Sequence, residues 1–433
     1  MIREGLPPGP SYPRALQTLG WVARTIPFLI RCRERYGDMF TLRIASEGHW
    51  VMLNDPEHVK QVFTGDPKLF HAGEANEVLL PLLGEHSVLL LDDGPHMRER
   101  KLLLPPFHGE RMARYGELMT EIAEAEVATW PVREPLELLP RMQAVTLEVI
   151  MRAVFGVERG ARLDELRRVL RELLGNAMDP RSMLLIAALG PRRFSRLPMV
   201  KRELRPADEL LFDEIDRRRR DPDLEEREDI MSLLLQARHD DGSPMTDREL
   251  RDELMTLLVA GHETTATGLA WALERLVRHP DKLERLRVEA ETGEEEYLDA
   301  VIKETLRLRP VIPIVVRQLR APVEIGGYRL PAGARVAPCI TLVHRSEDVY
   351  PDPHAFRPER FLEQPAGTYT WFPFGGGVRR CLGASFAMFE MKQVLTAVVR
   401  QLELTPPRAR GERVTRRSIT LSPERGAEVL VAA

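Results

Sequence analysis

The chain has 433 residues, of which 43% are hydrophobic and 30% charged, and its formal net charge is −4. That composition describes a globular protein with a large core, and the slightly acidic balance argues against bulk nucleic-acid binding. No run of 18 apolar residues exists, and the longest one near mid-chain is only Met183–Leu189, so no transmembrane segment is expected.

The first ten residues, Met1 to Pro10, lack the apolar stretch of a signal peptide, which predicts a cytoplasmic location. The three cysteines, Cys32, Cys339 and Cys381, are sparse and odd in number, with no C-x-x-C spacing. They argue against a disulfide framework or a zinc ribbon.

In chain order, a short strand pair is predicted at Met39–Ile44 and His49–Asn54. The run Arg217–Arg220, followed by Asp221-Pro222 and acidic residues, reads as a solvated helix end. The clearest helix opens at Thr246-Asp-Arg-Glu249, a capping box, and stops at His279-Pro280. Its thirty or so residues would span roughly 50 Å, enough to cross a domain.

Inside that helix lies Ala260-Gly261-His262-Glu263-Thr264-Thr265. Leu257, Ala260, Thr264 and Gly268 share one face, small except at Leu257 and able to lie flat against a ring system. The Thr264 hydroxyl can bond the Ala260 carbonyl and bend the helix there. An acid beside an alcohol, Glu263-Thr264, is suited to relaying protons. The plainer reading is a buried helix with small packing residues, in which Glu263 would need a partner.

Farther on, Glu304-Thr-Leu-Arg307 sets opposite charges three apart on a helix ended by Pro310. Val323–Ile325 and Tyr328–Leu330 flank Gly326-Gly327 as a hairpin, and Arg335–Ile340 reads as a further strand. The fold class is therefore mainly α with small β regions.

The most informative stretch is Phe374-Gly-Gly-Gly-Val-Arg-Arg-Cys381-Leu-Gly383. Gly375, Gly376 and Gly377 can adopt positive φ and turn backbone N–H groups toward the sulfur. An amphipathic helix follows, with Ala387, Met391, Val394, Val398 and Leu402 at core spacing, so that Cys381 sits near a helix N-terminus where an anion is favoured. Gly383 would admit a flat cofactor, and Arg379 could pair with an acidic group on it. No Gly-Lys-Ser/Thr follows, so a phosphate-binding loop of the Walker type is excluded.

Taken whole, F-x-x-G-x-R-x-C-x-G resembles the haem-binding loop of the cytochrome P-450 family. Ala260–Thr265 is similar to that family's A-G-x-[DE]-T-T oxygen-activation motif. Glu304-x-x-Arg307 with Phe356-Arg-Pro-Glu-Arg360-Phe361 looks like its structural triad, and His96-x-x-x-Arg100 like its propionate-binding pattern. The likeness runs from Leu6-Pro-Pro-Gly-Pro10 to the Ser418-Ile-Thr420 turn. Phe-x-Pro-Glu-Arg-Phe and Arg379 look like the microsomal branch, whereas His96 and the missing anchor look like soluble bacterial members.

The resemblance implies one triangular helical haem domain over residues 1–433. It implies haem b with Cys381 as the iron ligand, a loop formed by Phe374, Gly377 and Gly383, and Ala260 and Gly261 against the ring. His96, Arg100, Arg317 and Arg379 would anchor the propionates, Glu304, Arg307 and Arg360 would form the triad, and Glu263 and Thr264 would deliver protons. The implied reaction inserts one atom of O2 into a lipophilic small molecule: a terpenoid, steroid, fatty acid or macrolide-like compound. Leu79, Leu80, Met183, Leu257, Val311, Ile314, Val315 and Ile419 would line its pocket, with Met183–Leu189 as a lid.

Electrons would come from a separate ferredoxin or flavodoxin with an NAD(P)H reductase, docked on a basic face near Arg98, Arg100, Lys101, Arg379 and Arg380. The alternatives are a haem-thiolate peroxygenase or isomerase and a non-catalytic haem-binding sensor.

Overall fold

The computed structural model describes residues 2–432 except 46, 108–110, 157–160, 178–184 and 187. The strands that matter here are β1 (Met39–Ile44), β2 (Gly48–Leu53), β3 (Phe70–His71), β4 (Arg317–Leu319), β5 (Val323–Ile325), β6 (Tyr328–Leu330) and β7 (Arg335–Pro338). Five of them form one sheet in the order β1-β2-β7-β4-β3. β1 and β2 are antiparallel, from Met39 opposite Leu53 to Ile44 opposite Gly48, while β2 and β7 run parallel.

Side chains of the sheet alternate between two cores, as the period of two requires. Val51 and Leu53 pack on one face with Val59, Phe63 and Phe372, whereas Trp50 and Met52 pack on the other with Trp21, Phe28 and Cys339. Gly326 and Gly327 have φ of 56° and 78°, the pair of positive values that a two-residue type I′ hairpin demands, and they close β5 on β6.

The helices that position the site are α1 (Asp93–Leu103), α2 (Arg111–Val127), α3 (Leu138–Ala153), α4 (Asp247–Leu276), α5 (Glu296–Leu308) and α6 (Ala384–Gln401). α4 carries the expected capping box. Thr246 Oγ1 accepts the Glu249 N–H at 3.2 Å, and Glu249 Oε2 accepts the Thr246 N–H at 2.7 Å. A cap of this kind stabilises a helix by about 1 kcal/mol. At 30 residues, α4 spans about 45 Å.

α4 packs against α3, α5 and α6 in the largest core. Trp271, fully buried on α4, donates from Nε1 to the Leu421 carbonyl at 3.2 Å and so ties the helix to the C-terminal hairpin β8 (Val414–Arg417) and β9 (Thr420–Pro423). Among the described residues, no helix is long and apolar enough to cross a membrane.

Three expectations need correction. The second strand spans Gly48–Leu53 rather than His49–Asn54, and β7 ends at Pro338 because Ile340 already begins a helical turn. The Arg217–Arg220 run is not wholly solvated. Arg218 is fully buried and donates to Asp229 at 2.6 Å, to Ser232 at 2.6 Å and to the Phe155 carbonyl at 2.7 Å. Acidic neighbours there do not keep this arginine in water; they pair with it inside.

Candidate active site

The cysteine loop is fitted to the end of the helix Pro56–Thr64. Gly375 and Gly377 have φ of 67° and 65°, but Gly376 is extended at −163°, so only two of the three glycines use positive φ. Gly376 is needed for another reason: a Cβ there would lie 2.2 Å from the Phe63 ring. The Cys381 N–H donates to the Phe374 carbonyl at 3.0 Å, and the Phe374 ring packs edge-on to Trp371.

Cys381 is exposed, whereas Cys32 and Cys339 are buried. The protein around its sulfur pushes the thiol up, while the Gly383 N–H and the Arg100 and Arg380 guanidiniums pull the other way. Gly383 immediately precedes α6, so the sulfur does stand at a helix start. A side chain at Gly383 would meet no protein atom within 4 Å, so protein packing does not call for a glycine there.

The four basic residues predicted to share a task do converge. His96 is buried and its pKa is pushed down to about 3, first by burial and then by Arg379, Arg100 and Arg317. Arg317 on β4 is buried and lowered to about 10 by burial, with Arg379 adding to the effect and Asp92 opposing it. Its one hydrogen bond goes to the Val316 carbonyl at 2.9 Å, and among the described residues it has no ion pair.

Arg100 donates to the Arg380 carbonyl at 2.9 Å. Arg379 differs, because it pairs with Asp92 at 2.5 Å and donates to the carbonyls of Val88 and Leu91. Asp92 also accepts the N–H groups of Ala72, Gly73 and Glu74 at 2.9–3.0 Å. Sequence reasoning missed Asp92, and its position just before α1 is the only signal for it. Three arginines and a histidine thus crowd together, and the carboxylate among them, Asp92, is paired to Arg379 and acts on Arg317. Uncompensated buried charge is costly, and the set fits a cofactor that brings two carboxylates beside an exposed thiol.

Thr264 Oγ1 donates to the Ala260 carbonyl at 2.6 Å, as its spacing foretold. After its first turn α4 is buried, apart from Leu257, Val259, Ala260, Gly261, Glu263, Thr264 and Arg275; of these Ala260 is the one fully exposed residue. Gly261 does not share that open face. A Cβ on it would meet Ile150 of α3 at 2.9 Å, so helix packing there calls for the glycine.

Glu263 is half-buried. One oxygen accepts from Gln143 Nε2 at 2.5 Å; the other is buried without a hydrogen bond, 3.8 Å from Arg417. Burial raises its pKa, and Arg417 and Gln143 oppose the rise. Neither partner carried a sequence signal. His262 turns away to Thr146, at 3.0 Å.

The triad is closed and buried. Arg307 meets Glu304 at 2.7 and 2.9 Å, Arg360 meets Glu304 at 3.1 Å, and Arg307 also donates to the carbonyls of His344, Pro353 and Ala355.

The apolar set divides. Leu79, Leu257, Val315 and Ile419 are half-buried, Leu80 is buried in a turn packed on α4, and Val315 lies beside Gly375. Val311 is buried in the main helical core. Ile314 is a correction: it sits in the sheet-side core with Cys339 and Leu342, because residues alternate along this extended stretch. Met183 lies outside the described residues, as does most of the lid segment. The basic docking face is also thinner than expected. Arg98, Lys101 and Arg380 are exposed, but Arg100 and Arg379 turn inward.

The family model described as Cytochrome P450 matches residues 7–431. A Mycobacterium tuberculosis protein named "Putative cytochrome P450 135B1" is 48% identical over 99% of this chain and 92% of its own length. "Putative cytochrome P450 137" of the same species is 40% identical over 98% of this chain and 91% of its own length. Among solved structures, the retinoic acid-bound cyanobacterial CYP120A1 superposes with a TM-score of 0.86, at 25% identity, over 100% of this chain and 99% of that one. The cytochrome P450DA haem domain, at 23% identity and a TM-score of 0.84 over 100% of this chain and 98% of that one, supports the fold alone. The chain belongs to the cytochrome P450 family, whose members are haem b-dependent monooxygenases.

Proposed function

We propose that this monooxygenase hydroxylates or epoxidises a lipophilic small molecule in a pocket walled by the open stretch of α4, with Cys381 as the thiolate ligand of the haem. The observation that carries the pocket is Ala260: an exposed alanine in the half-buried middle stretch, Leu257 to Thr264, of a helix mostly buried on either side. Leu257, Ile419, Leu79, Leu80, Val311 and Val315 supply its apolar walls. Such a lining binds terpenoid, steroid, fatty-acid or macrolide-like compounds better than polar ones. The retinoic acid named with the cyanobacterial neighbour belongs to the same broad class.

When bound, the haem supplies the activation of O2 and the oxygen atom that is inserted. Cys381 is the cysteine placed to hold the iron, because it is exposed at the start of α6 whereas Cys32 and Cys339 are buried. His96, Arg100 and Arg317 hold the two propionates, and Arg379 divides its donors between them and Asp92. Thr264 positions a hydroxyl at the oxygen-binding face. Glu263, whose pKa burial raises, relays protons inward through Thr264 from the oxygen that has no hydrogen bond. Electrons arrive from a separate ferredoxin or flavodoxin with its NAD(P)H reductase, docked around exposed Arg98, Lys101 and Arg380. Residues 1–433 act as one haem domain.

The test is a titration of the ferric holoenzyme with a panel of lipophilic and polar compounds, followed by turnover with NAD(P)H and surrogate redox proteins. Soret shifts confined to lipophilic compounds, and products heavier by one oxygen atom, support the reading. Turnover with peroxide alone, and none with reductant and O2, would reject it.

A further inference from the structure

Three side chains from three separate elements meet away from the cysteine loop. Glu99 is on α1, His239 is in the turn joined by the Arg238–Pro244 bridge, and Glu249 is in the first turn of α4. One ligand atom from each lies within 4.8 Å of the other two. His239 is 5% exposed and Glu99 3% exposed. Both ring nitrogens of His239 and Oε2 of Glu99 are buried without a hydrogen-bond partner. The approach of His239 Nε2 to Glu99 Oε1, at 3.9 Å, is too long to be one. A buried imidazole with neither nitrogen bonded is rare in native proteins and asks for a ligand.

The three residues are held independently of any ligand. Glu249 Oε2 is engaged by the capping box, which leaves Oε1 for another partner. The His239 turn is closed by its own N–H to the Ser243 carbonyl and by the Gly242 N–H to its carbonyl, both at 2.9 Å. Lys101 ties Asp240 to α1 at 2.7 Å.

The charges are also out of balance. Besides Glu99 and Glu249, a third carboxylate, Glu253, lies fully buried one turn along α4. One oxygen of Glu253 accepts the Val88 N–H, and the other has no partner. The facing cation is Arg98, half-exposed and no nearer than 3.6 Å to Glu249 and 3.8 Å to Glu99, while His86 is bonded to Asp252.

We propose that Glu99, His239 and Glu249 form a site for one divalent transition-metal ion, best matched by Zn2+. One imidazole and two carboxylates are zinc donors, whereas Ca2+ and Mg2+ take oxygen ligands. Ligand atoms no more than 4.8 Å apart need shift by less than about 1 Å each to reach zinc distances of about 2.0–2.2 Å. Arg98, on a long exposed side chain, swings outward as the ion enters. The ion then joins α1, which carries His96 and Arg100, to the start of α4, which carries Glu263 and Thr264.

The test is calorimetric titration of the chelator-treated holoenzyme with ZnCl2, with MgCl2 and CaCl2 as competitors. The expected result is one Zn2+ per chain, not displaced by excess Mg2+ or Ca2+. Binding weakens by more than about ten-fold in both His239→Ala and Glu99→Gln, whose Soret spectra report that they still fold around haem. If either variant fails to load haem, His239→Cys and His239→Phe replace it: the first keeps a zinc ligand and retains binding, and the second loses it. Zinc bound equally well by the ligand-deleting variants, or no binding at unit stoichiometry, overturns the site.

Discussion

Two buried arginine clusters in this protein have opposite accounts of charge. Around Glu304, every part closes. Arg307 and Arg360 share one carboxylate, the spare donors reach backbone carbonyls, and the Arg357 N–H adds a further bond to Glu304 at 2.8 Å. Around Arg317 the closure is partial: Arg379 is paired with Asp92, but the Arg317 side chain meets no carboxylate among the described residues. Burial, Arg379, Arg100 and Arg317 together push His96 down to about 3, and the Arg317 side chain has only a backbone carbonyl. The closed cluster is architecture, tying α5 to the segment that leads to the cysteine loop. In the proposed function the open one is the seat for the haem propionates. Glu263 is of the open kind too, with one oxygen bonded to Gln143 and the other without a hydrogen bond, 3.8 Å from Arg417.

That contrast sets the order of expected effects. Glu304→Ala strands two buried guanidiniums and should destabilise the holoenzyme by about 3–5 kcal/mol, read by denaturant unfolding. A loss below about 1 kcal/mol would break the contrast from the closed side. Arg317→Ala removes a charge that the protein itself does not balance, so it should leave the unfolding of haem-free protein nearly unchanged. It should still raise haem loss to an acceptor such as apomyoglobin by about ten- to hundredfold, the equivalent of roughly 1.5–3 kcal/mol for charge-assisted hydrogen bonds. Equal haem retention would show that the seat is elsewhere.

Glu263→Gln tests the open acid. Burial raises the pKa of Glu263, so the proton stays on to higher pH than on a free glutamate, and wild-type product per electron should fall as pH rises through that pKa. The Gln variant should run slower by on the order of a hundredfold and lose this alkaline limb. The smallest effect is expected for Thr264→Ala, with product per electron reduced by on the order of ten-fold, because water can stand in for the hydroxyl. Unchanged coupling would remove Thr264 from the relay.

What could be read in the sequence follows from the range of the interactions. The β5–β6 hairpin and the α4 capping box are settled within four residues by turn chemistry and by reciprocal hydrogen bonds, and both came out as expected. The Thr264–Ala260 bond is local as well. The partners that tune the site are distant in the chain: Gln143 is 120 residues from Glu263, and Asp92 is 287 from Arg379. No periodicity marks such pairs, because they are created by helices and loops meeting in three dimensions. Direction along a strand was equally hard to read. Val315 and Ile314 looked alike as apolar neighbours, but one faces the cysteine loop and the other the sheet-side core. The fit of Gly261 to Ile150 was likewise not legible, because it joins two helices distant in the chain.

The most direct measurement is the spectrum of the reduced, carbon monoxide-bound protein, taken for the wild type and for Cys381→His. The wild type should show the strongly red-shifted Soret band of thiolate-ligated haem. The variant should still bind haem through the open basic cluster but lose that band. Absence of the band in the wild type, or its persistence in Cys381→His, would contradict the assignment of Cys381 as the iron ligand.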